Sequence, residues 1–197
     1  MKIVFATQNE GKLKEMKDLL SNLDIETIGA LEAGVTEDVE EDGETLAENS
    51  LKKARFVSKQ TGQWAVADDT GLFIEALGGQ PGIKASRWVG EDRSHENYHR
   101  FTLEKIKDVP DENRGAYFET VVALVTPDGQ ERVFSGKLHG RITKEPRGHV
   151  RKGRPYDEIF QPDGSDKTFG EMTDEEKHAI SHRGKAFEEL KVFLYSL

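Results

Sequence analysis

Apolar positions along the chain switch between a helical period and short continuous runs, and the switches predict its elements. Ile3, Val4, Phe5 and Ala6 form a run too short for a helix and read as a buried strand. Leu13, Met16, Leu19, Leu20 and Leu23 then share one face of a helix over residues 10–23. The same spacing returns through Leu46, Ser50, Ala54 and Val57, predicting a helix over 45–60, and a further helix lies near 94–107. Residues 64–67 and 72–74 read as strands, while 117–125 and 133–142 flank the turn signal Pro127-Asp128-Gly129 and predict a long antiparallel hairpin. Near the C-terminus, Ala186, Leu190, Phe193, Leu194 and Leu197 recur at helical spacing after Ser181, which occupies an N-cap position. Helices alternate with strands early and strands meander later, so the class is α/β with a mixed sheet. No repeat, low-complexity linker or proline-rich break divides the 197 residues, and the expectation is one domain over 1–197.

Composition narrows the chemistry. The absence of cysteine excludes a thiol nucleophile, a disulfide framework and thiolate metal sites, and suits a reducing cytoplasm. The N-terminal apolar run is too short for a signal peptide and no later stretch approaches a membrane span, so a soluble cytoplasmic protein with no membrane partner is expected. A net charge of -9 argues against duplex nucleic acid as a partner, because neutralising phosphates requires a basic face. The charge is polarised: seven of the eighteen residues in 137–154 are Lys or Arg, whereas six of the eight in 37–44 are acidic. Two solvated surfaces would give this pattern; so would a metal-binding edge beside a phosphate-binding edge.

Candidate chemistry gathers at three places. Thr7-Gln8-Asn9-Glu10-Gly11-Lys12 spans a strand-to-helix turn, where unpaired N–H groups and the helix dipole attract phosphate, although the Walker spacing is absent. Thr7 and Glu10 also have capping-box spacing, as do Thr45 and Glu48. Lys12 opposes the dipole unless it neutralises an anion, and His182 and Arg183 repeat that anomaly at the start of the final helix, where a cation costs a few tenths to ~1 kcal/mol. Asp68 and Asp69 emerge after the apolar run 64–67, at a strand end or in an Asp-Gly turn, and are the best catalytic candidates. Lys53 reads as an ordinary solvated lysine, any of the six acids in 37–44 is a candidate cation ligand, and Gly78-Gly79-Gln80-Pro81-Gly82 reads as a mobile loop.

Five ordered blocks covering nearly the whole chain carry a resemblance. They are Thr7 to Lys12, Gly43 to Asn49 with Lys53-Ala54, Asp68-Asp69-Thr70-Gly71-Leu72, Ala76 to Gly82, and Gly170-Glu171-Met172 through Lys177 to Ser181-His182-Arg183. In these the chain resembles the inosine/xanthosine triphosphate pyrophosphatases, which hydrolyse non-canonical purine nucleotides (ITP, dITP, XTP) to the monophosphate and pyrophosphate. The resemblance implies a mixed, curved central sheet flanked by helices, in two lobes with a nucleotide-binding cleft between them, a magnesium cofactor and a homodimer. It implies that Thr7, Asn9 and Lys12, with Gln8, Glu10, Gly11 and Thr70 around them and Lys53 and Lys177 joining, hold the triphosphate. Glu41 and Asp69 match metal ligands, with Asp68 in support; Asp69 also matches the base that activates water, and His182 and Arg183 match the base-reading pair.

One block departs from that pattern. Where the family reads Gly-Phe-Gly-Tyr-Asp-Pro, this chain has Gly153-Arg154-Pro155-Tyr156-Asp157-Glu158, and His178 replaces an asparagine. Arg154 offers a flat guanidinium in place of the ring that stacks on the purine, and Pro155 removes a backbone donor. The departure leaves two other readings: a related pyrophosphatase with altered base preference, and a non-catalytic nucleotide or RNA binder using Arg141, Lys144, Arg147, Arg151, Lys152 and Arg154.

Overall fold

The computed structural model describes residues 1–197. Its strands are β1 (Lys2–Phe5), β2 (Glu26–Gly29), β3 (Trp64–Ile74), β4 (Pro81–Gly82), β5 (Gly115–Val125), β6 (Glu131–Ile142) and β7 (Phe160–Pro162). Its helices are α1 (Glu10–Leu19), α2 (Leu46–Thr61), α3 (His95–Lys105), α4 (Asp174–Ile180) and α5 (His182–Tyr195). The sheet runs in the order β2-β1-β3-β5-β6-β7, with β4 pairing off β3. β1 is parallel to β2 and β3, whereas β3–β4 and β6–β7 are antiparallel, so the sheet is mixed as the pattern predicts.

Helix ends follow local chemistry. Thr45 and Glu48 form the predicted capping box of α2, each side chain accepting from the other's backbone N–H. At α1 the cap is Asn9, whose Oδ1 accepts from Lys12 N–H at 3.0 Å, while Thr7 Oγ1 accepts from Asn9 N–H; the expected Thr7–Glu10 box does not form. α1 also stops at Leu19 instead of residue 23, because polar Ser21 and Asn22 follow and the Leu20 N–H closes the last turn onto Met16 and Asp18. The larger correction is at β3. Residues 64–74 form one uninterrupted strand, so Asp68 and Asp69 sit at its middle and not at a strand end or turn. The glycine-rich stretch expected as a mobile loop includes β4, which pairs Gly82 with Leu72 and Pro81 with Phe73.

The chain divides into two compact units, residues 1–69, 120–136 and 183–197 in one and 70–119 and 137–182 in the other, and β3, β5 and β6 each contribute to both. In the first unit, Ile3, Phe5, Met16, Leu20, Val66, Phe187 and Leu190 form one cluster, and Val4, Ala54, Val57, Ala65 and Ala123 another. Ala186, Leu190 and Leu194 of α5 are buried as their spacing predicts, whereas Leu197 is exposed just past the helix. The core of the second unit gathers Leu72, Ile74, Tyr98, Phe118, Tyr156, Phe160 and Phe169. No helix is long and apolar enough to cross a membrane.

Candidate active site

Asp68 and Asp69 alternate along β3 and therefore enter different surroundings. Asp68 Oδ2 accepts from Arg183 Nε at 3.2 Å and Nη2 at 2.8 Å, and lies 3.1 Å from Lys12 Nζ. Arg183 Nη1 donates to Glu15 Oε2 at 2.8 Å. The cations that open α1 and α5 against their dipoles thus converge on one buried carboxylate. Burial alone would raise the Asp68 pKa, but Lys12, Arg183 and Lys53 together hold it well below the usual carboxylate range. Lys12 shows the reverse balance: burial lowers its ammonium pKa, and Asp68 opposes this incompletely while Lys53 and Arg183 add to it.

Asp69 is held more loosely. Its Oδ2 accepts from Asn49 Nδ2 at 3.2 Å, and Lys53 Nζ stands 3.7 Å from Oδ1 while making closer contacts with Glu41 Oε1 at 2.8 Å and the Asp68 carbonyl at 2.7 Å. Burial, Glu41 and Asp68 push the Asp69 pKa upward against the pull of Lys53 and Lys12. Lys53 itself, lowered by burial, is raised on balance by Asp69, Glu41 and Asp68, so it is an interior partner of three acids and not the solvated lysine its sequence context indicates. Asn49 is fixed from its other end by the Gly43 N–H, 2.9 Å from Oδ1. A Cβ at position 43 would fall 2.7 Å from that oxygen, so a side chain there would push the Asn49 carboxamide away.

Around this cluster, Asn9 caps α1, Gly11 lies in its first turn, Glu10 and Gln8 are exposed, and Gln8 Nε2 donates to Thr36 O at 3.2 Å. Thr7 is partly buried, as is Thr70 next to Asp69 in β3. Glu41 and Asp69 offer carboxylate oxygens to the same ammonium, and the raised pKa of Asp69 comes first from its burial, with Glu41 and Asp68 adding to it. An all-oxygen donor set of this kind fits a hard divalent cation.

The remaining predicted residues belong to the second unit. Asp157 Oδ2 pairs with Lys177 Nζ at 2.7 Å, both residues being buried, and Arg151 Nη1 lies 3.7 Å away. Tyr156 is buried edge-on to Tyr98 with its hydroxyl donating to Ala85 O at 2.9 Å, and burial raises its phenol pKa. Arg154 is half-buried with Nη1 donating to Gly153 O at 3.2 Å, and the Pro155 carbonyl accepts from His99 Nε2 at 2.9 Å. His182 is buried with its ring stacked on Phe118, 4.5 Å between centroids.

Two residues of the cluster escaped the sequence reading. Asn49 lies on the face of α2 that carries Leu46, Ser50 and Val57, and a carboxamide on that buried face is the signal available for it. Glu15, which holds Arg183, follows Lys12 by three residues and precedes Met16, and nothing in its local pattern marks it.

Comparisons with known proteins identify the family of the chain. The sequence profile of the Ham1 family matches residues 3–193. The chain is 41% identical over 194 residues to a dITP/XTP pyrophosphatase of Thermoanaerobacter pseudethanolicus, covering 98% of this chain and 96% of that protein. It is 46% identical over 202 residues to a dITP/XTP pyrophosphatase of Frankia alni, covering 98% and 97%. A solved HAM1 protein structure from Coxiella burnetii superposes with a TM-score of 0.89 at 40% identity, covering all of both chains. With a family profile spanning almost the full length, relatives above 40% identity and a shared fold, the chain belongs to the Ham1 family.

Proposed function

We propose that this chain hydrolyses dITP, XTP and ITP to the nucleoside monophosphate and pyrophosphate, its two units working as one domain over 1–197. The observation that carries the reading is Asp69: a buried carboxylate with raised proton affinity, oriented by Asn49 and facing lysines, in a chain whose relatives are dITP/XTP pyrophosphatases. Such a group suits the removal of a proton from water attacking between the α- and β-phosphates. Glu41 and Asp69 would hold magnesium, with Asp68 in support, and the ion would neutralise phosphate oxygens. Lys12 and Lys53, with the turn 7–11, Thr70 and Lys177, hold the triphosphate and stabilise charge that develops on it.

Choice against adenine rests on donors, whereas guanine shares the 6-keto oxygen and is to be told apart at its 2-amino group. Arg183, held by Glu15 and Asp68, and His182, stacked on Phe118, match the family's base-reading pair, whose N–H donors would suit a 6-keto oxygen. Adenine carries a 6-amino donor there, and donor facing donor leaves buried groups unpaired, which gives discrimination on the order of a hundredfold. Gly153–Asp157 forms the rest of the base site, with Arg154 stacking through its guanidinium plane. The protein works in this reading as a cytoplasmic homodimer with no nucleic-acid partner.

The test is pyrophosphate release from ITP, XTP, dITP, GTP, ATP and UTP with magnesium or with EDTA. Metal-dependent cleavage confined to ITP, XTP and dITP is expected. Equal cleavage of GTP or UTP favours the altered-preference reading that Arg154 and Glu158 raise, and no cleavage of any nucleotide overturns the enzyme.

A further inference from the structure

Apart from the groups given roles in nucleotide chemistry, a second set of ligand-type side chains meets in the core of residues 70–119 and 137–182. His95 and His99 lie four residues apart on α3 and so share a face of that helix. Glu158, two residues past Tyr156, is brought against them: His95 Nδ1 is 2.9 Å from Glu158 Oε1, and His99 Nε2 is 3.7 Å from Oε2. One ligand atom from each of the three falls within 4.8 Å of the other two. The Glu158 side chain is 3% exposed, whereas the histidine side chains are 20% and 12% exposed, so solvent reaches the cluster from the imidazole side.

A buried carboxylate calls for a cation. Those facing Glu158 here are two imidazoles, which carry charge only when protonated. Glu158 also stands where the family pattern has proline, so the group that completes the trio is a feature of this chain. Two imidazole nitrogens and one carboxylate oxygen are the donor set that zinc takes, and they differ from the all-oxygen set of Glu41 and Asp69 that suits magnesium.

We propose that His95, His99 and Glu158 bind a divalent transition-metal ion of borderline softness, with zinc as its natural probe. Ligands on a tetrahedral zinc stand about 3.3 Å apart, so the widest separation must contract by about 1.5 Å, which rotation of the partly exposed imidazoles supplies. Binding has a consequence for the chain. His99 Nε2 donates to the Pro155 carbonyl, and a metal takes that nitrogen's lone pair only after its proton has moved to Nδ1. Occupancy therefore releases Pro155, in the segment Gly153–Asp157 given above to base recognition, and links metal binding to the position of that segment. That last link rests on the proposed base site; the metal site itself does not.

Full-length protein stripped with EDTA and dialysed against zinc in excess magnesium, followed by elemental analysis, tests the site directly. One zinc per chain is expected. His95→Gln with His99→Gln, checked for folding by circular dichroism, should weaken uptake by about a hundredfold or more, and Asp69→Asn should leave it unchanged. Zinc uptake that survives the double substitution, is lost with Asp69→Asn, or is absent from the wild type overturns the proposal. Should the double variant fail to fold, cobalt bound to the wild-type protein decides: intense visible bands of a tetrahedral imidazole site support it, and weak octahedral bands overturn it.

Discussion

Two buried aspartate–lysine arrangements in this molecule differ in how completely the charges answer one another. Asp157 and Lys177 are closed at 2.7 Å, with Arg151 behind them. Asp69 and Lys53 are open at 3.7 Å, and the lysine is drawn closer to Glu41 and to a backbone carbonyl. The open arrangement leaves Asp69 with a raised pKa and its neighbour Lys12 with a lowered one, each group pushed toward neutrality by burial. A closed pair neutralises itself, whereas an open cluster leaves its groups shifted from their ordinary proton affinities, which is the commoner state of groups that do chemistry. Asp68 shows that position in sequence is not the cause. It adjoins Asp69 on the same strand, yet two cations clamp it and its pKa falls.

The comparison breaks if substitution in the two places has the same effect. Asp69→Asn should lower kcat on the order of 10³-fold while nucleotide affinity, read by equilibrium binding, persists. Retained turnover would remove Asp69 from the chemistry. Lys177→Met should cost stability as well as triphosphate binding, because it strands a buried carboxylate; the expected loss is about 3–5 kcal/mol in denaturant titration without nucleotide. Lys177→Met combined with Asp157→Leu should recover much of that loss, since neither charge is then left alone.

The adjacent aspartates sharpen the contrast through pH. Asp68, depressed in the fold, contributes stability that is present above its unfolded value near 3.8 and disappears as pH falls through its lower folded value. Asp69, raised in the fold, contributes stability present below 3.8 that disappears as pH rises through its higher folded value. In EDTA at neutral pH, Asp69→Asn should therefore melt above the wild type and Asp68→Asn below it. Melting curves that shift in the same direction for both would show that the two carboxylates share one environment.

Much of the fold was written locally. The Thr45–Glu48 box starts α2 where the pattern places it, and the turn Pro127-Asp128-Gly129 joins β5 to β6. The cations placed against helix dipoles at Lys12 and Arg183 point from sequence to the cluster around Asp68, because an electrostatic misfit within one turn is a local signal. What stayed hidden depends on distant partners. Asp68-Asp69-Thr70-Gly71 has the composition of a turn, and it remains strand because residues 12, 53 and 183 neutralise its carboxylates. β2 contains a single large apolar residue, Ile28, and exists through parallel pairing with β1. α4 shows no helical period in its sequence although Thr173 and Glu176 form a capping box at its start, since seven residues are too few for one. His95 and Glu158 lie 63 residues apart, and no spacing rule joins them.

The smallest expected effect concerns Arg154, whose half-buried position lies between the two regimes. Its guanidinium plane can stack on a purine, but a charged group gives up hydration to do so, and the net gain at a half-exposed site is about 0.5–1 kcal/mol. Arg154→Ala should therefore raise KM for dITP by about threefold to fivefold with kcat unchanged, the mark of an interaction made equally in ground and transition states. Arg154→Phe should match or lower the wild-type KM, because a ring stacks without a desolvated charge. If alanine and phenylalanine both leave KM as it was, Arg154 lies outside the base site. If alanine lowers kcat as well, this residue acts on the phosphate chemistry, and the division between a closed structural region and an open reactive one must be redrawn to include it.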